Sequence, residues 1–277
     1  MNIKQKIKKS TLFNKLIYSL NKRSFSRNVQ FKDIHKGDTC YIFGNGESIK
    51  SMDLNNFNDK ISIGCNNLFL HKDFEKLDCR YYQIVAPLIF LPYFKYYGKL
   101  QKNDIASVYR KKIKSLKKTL FFTSIFNKYS LVANNIYYEH HFDKPGPDIK
   151  NCDLAGSFSF MNGATDAMIG MAVYMGFKKA ILVGVDYTFA DNNSMHFFEK
   201  GRGTEKNEEK YNVIFLNQIK ENIDLVTITT NDYKSDTLEH VSYFDYTGKS
   251  EIYQENVDII LASDLEKLDK MRLYKIS

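Results

Sequence analysis

Residues 164 to 185 constrain the fold most, because a helix-length run, Ala164 to Met175, passes through Gly176 into the uninterrupted apolar stretch Ala180 to Val185. Small residues at Ala164, Ala167, Gly170 and Ala172 let that helix lie close on a sheet, and Gly163 and Gly176 bracket it. A strand without polar alternation is covered on both faces, as a central strand of a parallel sheet is. Further strand-like runs occur at Thr39 to Phe43, Lys60 to Gly64, Tyr81 to Val85, Thr119 to Thr123, Ile136 to Glu139 and Leu225 to Thr229. Together they predict an α/β fold, a mostly parallel sheet with helices on both faces. At 277 residues the chain suffices for one large domain, or a domain with a small lid. We read 37–277 as a single α/β domain, 1–36 as a basic N-terminal arm, and about 88–118 as a helical insertion. That insertion suits a lid or acceptor-facing surface, and equally a solvated helix pair.

Charge separates these regions. The arm holds ten Lys or Arg against Asp33 alone, whereas the rest of the chain has 30 basic and 31 acidic residues. Within the arm, Ile3, Ile7, Leu16, Ile17 and Leu20 recur at roughly helical spacing among lysines. This fits a helix lying on an anionic membrane surface, and it also fits a helix packed on its own domain. No run of 18 apolar residues is present, so no spanning helix is expected, and the start is too polar for a secretory signal. Cys40, Cys65, Cys79 and Cys152 lack metal-site spacing and fall in apolar text, which reads as reduced, buried cytosolic residues.

Four turns fall where the carboxyl rim of the sheet is expected. Tyr41-Ile42-Phe43-Gly44-Asn45-Gly46-Glu47-Ser48 is a strand, a glycine-bracketed turn and a helix start, which makes either an anion site or a plain tight turn. It lacks the third glycine of a dinucleotide fingerprint and the Gly-Lys-Ser/Thr of an ATP loop. Gly64-Cys65-Asn66-Asn67 ends the next strand with two amides able to serve a base or ribose. Met161-Asn162-Gly163 opens the small-residue helix. Val183-Gly184-Val185-Asp186-Tyr187-Thr188 ends the apolar strand, with Asn192, Asn193, Ser194 and His196 following. Asp186 and His196 read as a general base and its partner, or as a capping Asp and a surface His. His240 and His140-His141 compete for the base role.

In this order the turns resemble the bacterial sialyltransferases of glycosyltransferase family 42 and the related motility-associated-factor and pterin-diphosphokinase-like proteins. The likeness spans about 39–196 and is concentrated in some 30 residues. It implies a modified Rossmann-like sheet of GT-A variant type, a CMP-sugar donor, and inverting transfer with no cofactor and no metal. The implied donor-binding residues are Gly44, Asn45, Gly46, Ser48, Asn66, Asn67, Asn162, Gly163, Asp186 and Tyr187, and the implied base is His196. Two departures stand out: Met161-Asn162-Gly163 replaces Thr-Ser-Gly, and Ser159 stands near the position of an arginine.

The chemistry agrees with that resemblance. A CMP-sugar departs as one phosphate group whose charge amides and tyrosine hydroxyls can meet, and the sequence contains no D-x-D pair for a metal-held donor. The expected activity is nonulosonate transfer to a bacterial surface glycan of the lipopolysaccharide or capsule kind. Its acceptor would be an oligosaccharide or a lipid-linked glycan, met at the cytoplasmic face of the membrane with 1–36 in peripheral contact. No nucleic-acid partner is expected, and a homo-oligomer stays open. An ATP-dependent pterin-type diphosphokinase is the alternative, with Asp186 and Asp191 the acid pair that would hold its magnesium; a non-catalytic nucleotide-fold protein is the third reading.

Overall fold

Eight strands align in one sheet because most of their side chains are apolar on both faces. The computed structural model describes residues 11–85, 89–96, 99–140, 152–156, 158, 163–188, 195–200, 216–230, 233–271 and 276. Its strands are β1 (Thr39–Phe43), β2 (Ser62–Cys65), β3 (Cys79–Ile84), β4 (Tyr93–Tyr96), β5 (Lys99–Lys102), β6 (Leu120–Ser124), β7 (Ile136–Glu139), β8 (Lys179–Val183), β9 (Asp224–Thr229) and β10 (Glu239–Ser242). The large sheet has the order β10-β9-β8-β1-β2-β3-β6-β7, and β4 and β5 form a separate hairpin. Every pairing in the large sheet is parallel. The predicted α/β class is therefore present, with the sheet wholly parallel.

Helices cover both faces. On one, α1 (Thr11–Ser26), α2 (Ile105–Ser115) and α6 (Ala262–Lys270) bury Phe25, Tyr109, Ile113, Leu265 and Leu268 against Tyr41, Phe43, Tyr82 and Phe121. On the other, α3 (Ala164–Tyr174) lays Ala167, Met168, Met171 and Ala172 on Cys40, Ile42, Ile63 and Leu182. Alternate residues of β1 thus enter opposite cores, which is the period of two of an extended strand. Burying one such Ile or Phe side chain stabilises by about 1.5–3 kcal/mol. Short helices α4 (Tyr243–Thr247) and α5 (Asn256–Ile259) complete the carboxyl-terminal part.

The described part of the arm is packed on the domain. Ile17, Tyr18 and Phe25 reach the core, and Asn28 donates to the carbonyls of Tyr138 and Leu154, each at 2.8 Å. Residues 1–10 lie outside the described residues. All four cysteines are buried.

Three details depart from expectation. The helical insertion is half hairpin: β4 and β5 precede the single helix α2, since the aromatic run Tyr93-Phe94-Lys95-Tyr96 favours extended structure. The segment after the Gly44-Asn45-Gly46 turn is a five-residue 3-10 helix, Glu47–Ser51, and not an α-helix. The edge strand β10 went unread because Glu239 and His240 are exposed and carry no apolar signal.

Candidate active site

From β1 the chain steps outward through β2, β3, β6 and β7, then returns to the other side of β1 for β8, β9 and β10. The carboxyl ends of β1 and β8 therefore flank the point where the order reverses, which is where open parallel sheets bind ligands. Both strands end in glycine there. Gly44 N donates to Val183 O at 2.8 Å and Gly46 N to Gly184 O at 2.8 Å, so the two turns stay in contact beyond the ladder. A Cβ on Gly44 would run into the Gly184 carbonyl, and Gly184 itself has φ +67. Close approach of the two backbones explains the glycines.

Asp186 fills the anion site that the first turn creates. Its carboxylate accepts from Ser48 N at 2.9 Å and Ser48 Oγ at 2.6 Å, and the Glu47 amide also favours its charged form. Burial nevertheless dominates and pushes the carboxyl up to about 6, with the Ser48 bonds pulling the other way. The donors at the start of Glu47–Ser51 are thus directed at an internal carboxylate. Any phosphate near this turn must draw on other groups.

Asn45 is one such group. Its Nδ2 donates to Cys65 O at 3.1 Å and Cys65 Sγ at 3.0 Å, tying the β1 turn to the end of β2, while its buried Oδ1 has no hydrogen-bond partner among the described residues. Asn66 follows in the left-handed region at φ 47, held by its amide on Gln83 O at 3.1 Å and by the Tyr82 hydroxyl on its carbonyl at 2.9 Å. Asn67 is differently placed: its Oδ1 accepts from the Tyr109 hydroxyl at 2.9 Å in the core beneath α2. Gly163 caps α3 with an extended backbone (φ 170, ψ −174), makes no side-chain cap bond, and has open space where a Cβ would lie. The helix start there faces the rim, since α3 runs down to the beginning of β8. Tyr187 reaches the same end of α3: Thr165, Asp166 and Cys65 lie close enough to act on its hydroxyl, which among the described residues has no hydrogen-bond partner. Burial, ahead of these, raises the phenol well above its ordinary value.

His196 lies against the glycine turn. It forms an antiparallel bridge with Gly46, and Phe197 N donates to Asn45 O at 2.9 Å. Its Nδ1 is 2.7 Å from Glu199 Oε2, which also accepts from the His196 amide at 3.0 Å. The imidazole stacks on Phe198 at 4.9 Å and its side chain is 40% exposed, against 12% for Glu199. A carboxylate at Nδ1 favours the tautomer that carries its proton there and leaves Nε2 as the acceptor nitrogen. Beneath this loop, Lys50 is 1% exposed, donates from Nζ to Glu199 O at 2.9 Å and lies 5.8 Å from the Tyr253 ring centroid. Among the described residues it has no ion-pair partner. Sequence reading missed both Glu199 and Lys50. The i, i+3 spacing of His196 and Glu199 was the available signal.

The structure thus brings Gly44, Asn45, Gly46, Ser48, Asn66, Gly163, Asp186, Tyr187 and His196 to one rim and turns the Asn67 side chain away from it. Asn162, Ser159 and Asp191 to Ser194 lie outside the described residues. Of the rival histidines, His140 is buried against Phe25 at the end of β7 and His240 is on the edge strand; His141 lies outside the described residues. Asp186 is engaged by Ser48 and so is a poor magnesium ligand. Among the described residues no group of three or more His, Cys, Asp or Glu is placed to hold a metal, and no helix is long and apolar enough to cross a membrane.

Sialyltransferases of Campylobacter jejuni are similar in structure. A Cst-II structure in complex with the substrate analogue cytidine-5'-monophosphate is 17% identical with a TM-score of 0.48, over 85% of this chain and 98% of that one. The monofunctional alpha-2,3-sialyltransferase Cst-I is 13% identical with a TM-score of 0.45, over 85% and 94%. A Cst-II complex with trisaccharide acceptor and CMP is 16% identical with a TM-score of 0.39, over 84% and 99%. No family model and no curated protein matches the sequence.

Proposed function

We propose that this chain is a glycosyltransferase that moves a nonulosonate from a CMP-activated donor to a glycan acceptor, with inversion and without metal, His196 serving as base. The carrying observation is the bridge between His196 and Gly46 at the β1/β8 switch point, with Glu199 on the imidazole Nδ1. The donor class rests on the sequence resemblance of the four rim turns.

In the proposed step an acceptor hydroxyl gives its proton to His196 Nε2 as its oxygen bonds to the anomeric carbon. The glycosidic C–O bond to the phosphate breaks, and CMP departs with the electron pair. Glu199 stabilises the imidazolium so formed and keeps the ring oriented. The amides at the start of α3 and the Tyr187 hydroxyl are the groups suited to the charge growing on the leaving phosphate, because Asp186 already engages those of Glu47 and Ser48. Asn45 Oδ1, buried and without a partner among the described residues, suits a ribose hydroxyl or a base amino group. Asp186 then acts by shaping the turn. Work on a lipid-linked acceptor at the inner membrane face completes the reading.

Thermal melting with CMP, UMP, GDP and ATP tests the nucleotide half. CMP should stabilise the protein selectively, by roughly 2.7 kcal/mol at a hundredfold excess over Kd. Stabilisation by ATP with magnesium and not by CMP would turn the reading towards the diphosphokinase. CMP release from a CMP-nonulosonate, with membrane oligosaccharide present, tests the transfer.

A further inference from the structure

The arm from Thr11 to Lys32, the loop after β6 and α2 meet on one side of the molecule, and none of the three contains an acid. From Thr11 to Lys32 there are five Lys or Arg and no Asp or Glu; from Ile105 to Tyr138 there are seven and again none. The two stretches are far apart in sequence, yet the fold makes them neighbours. Lys128 Nζ donates to Asn21 Oδ1 on α1 at 3.1 Å. Arg110 on α2 reaches Ser130 O at 3.4 Å, and Asn135 Nδ2 donates to Ile113 O and Leu116 O at the end of α2, at 3.0 and 3.1 Å. The loop of 125–135 is therefore held between the two helices.

That loop exposes what a soluble loop ordinarily keeps covered. Tyr129 is 91% exposed and Val132 79%. On α1, Leu20 is 71% and Leu16 54% exposed; they lie one turn apart on the face opposite the buried Tyr18 and Phe25. Exposed cations surround them: Lys15, Lys22 and Arg23 on α1, Lys111 and Lys114 on α2, and Lys117 and Lys118 before β6. The acids next to α2, Asp104 and Glu266, are engaged by Lys102 and Lys270 at 2.9 and 2.7 Å. The combination is aliphatic and aromatic tips in a field of one sign.

We infer that this composite face, α1 with the 125–135 loop and α2, docks on an anionic lipid bilayer, Tyr129, Val132, Leu16 and Leu20 entering the interface and the lysines lying over the headgroups. Charge complementarity selects the occupant, since the cations gain from anionic headgroups and the apolar tips from the acyl boundary. A nucleic acid would use the cations and leave the valine and leucines without a role. The inference deepens the membrane part of the proposed function and rests on it only for the existence of a membrane-borne acceptor. It adds a loop and a helix about a hundred residues from the arm.

Sedimentation of the full chain with phosphatidylcholine vesicles, with and without about 30% phosphatidylglycerol, reads the docking without reading transfer. Binding is expected to the anionic vesicles only. Tyr129→Ser with Val132→Ser should weaken it about tenfold, and each of Lys114→Ala and Lys118→Ala about fivefold, with unchanged melting because all four side chains are exposed. Recovery of the parent chain in the supernatant with anionic vesicles would overturn the inference, as would equal binding by the Tyr129/Val132 variant. Displacement of the vesicles by duplex DNA that the Tyr129/Val132 variant binds as well as the parent would overturn it in favour of nucleic acid. CMP-selective melting is read separately, so failure here leaves the donor reading standing.

Discussion

Gly46→Ala should cost stability, and for a reason specific to Asp186. Gly46 has φ −66, so alanine suits its backbone, but the new Cβ would lie deep inside the Asp186 carboxylate. That carboxylate must then leave Ser48 N and Oγ, now at 2.9 and 2.6 Å. Hydrogen bonds to a charged group contribute about 1.5–3 kcal/mol each, and breaking a buried charged pair costs roughly 3–5 kcal/mol in all. The smaller entropy of the unfolded alanine chain offsets about 0.4–1 kcal/mol. A net loss of about 3 kcal/mol remains, or roughly 6–12 °C in Tm for a domain of this size. Thermal and denaturant unfolding measure it, and a double-mutant cycle with Asp186→Ala isolates the cause. With the carboxylate gone, the same Gly46→Ala change should cost less than about 0.5 kcal/mol. An equal loss in both backgrounds would refute the steric account and leave Asp186 unconnected to the turn.

Other outcomes follow from the same geometry. His196→Ala should remove transfer, a loss of about 10²–10⁴ in kcat, while CMP still raises Tm; Glu199→Gln should lose about tenfold and never as much as His196→Ala. Lys50→Met relieves an ammonium buried without a carboxylate among the described residues, so Tm should hold or rise, while turnover falls about fivefold as the Glu199 carbonyl loses its anchor. Burial lowers the His71 imidazole to about 4, ahead of the opposing pull of Asp73 and Asp53. The unfolded chain takes up a proton near pH 6.5 that the native chain refuses until about 4, so stability falls as pH drops through that window, by up to roughly 3 kcal/mol. Asp186 acts oppositely, since its native carboxyl binds a proton already near pH 6. Unfolding of the parent and of His71→Leu between pH 7 and 4 separates the two, because the Asp186 contribution is common to both; a difference that does not change with pH would sink the His71 assignment.

The parallel sheet was readable because central strands such as β1 are apolar on both faces: Thr39–Phe43 falls on the predicted residues, as does the edge strand Ile136–Glu139, and the small-residue helix differs by one residue at its end. What stayed hidden was whatever depends on a neighbour distant in sequence. β10 is an edge strand whose existence is decided by pairing with β9, not by its own text. Asn67 looks like a second ligand amide beside Asn66, and only the position of Tyr109, 42 residues later, shows that its oxygen faces the core. Asp186 belongs to the same class, since its partner Ser48 is 138 residues away.

Asp186 also alters the meaning of the motif that first marked the rim. Gly44, Gly46 and Ser48 suggest a cradle for a phosphate, yet Gly44 makes room for the Gly184 carbonyl, Gly46 makes room for the Asp186 carboxylate, and Ser48 holds that carboxylate. All three residues serve the junction of β1 with β8. The residue between the glycines is the exception: Asn45 has a buried oxygen without a hydrogen-bond partner among the described residues, while its nitrogen is fixed on Cys65. A junction that rigidly aims one amide, and to which His196 is bridged through Gly46, places a recognition group and a base on the same turn. Ligand selectivity should therefore respond to Asn45 far more than to Ser48, whereas stability should respond in the reverse order.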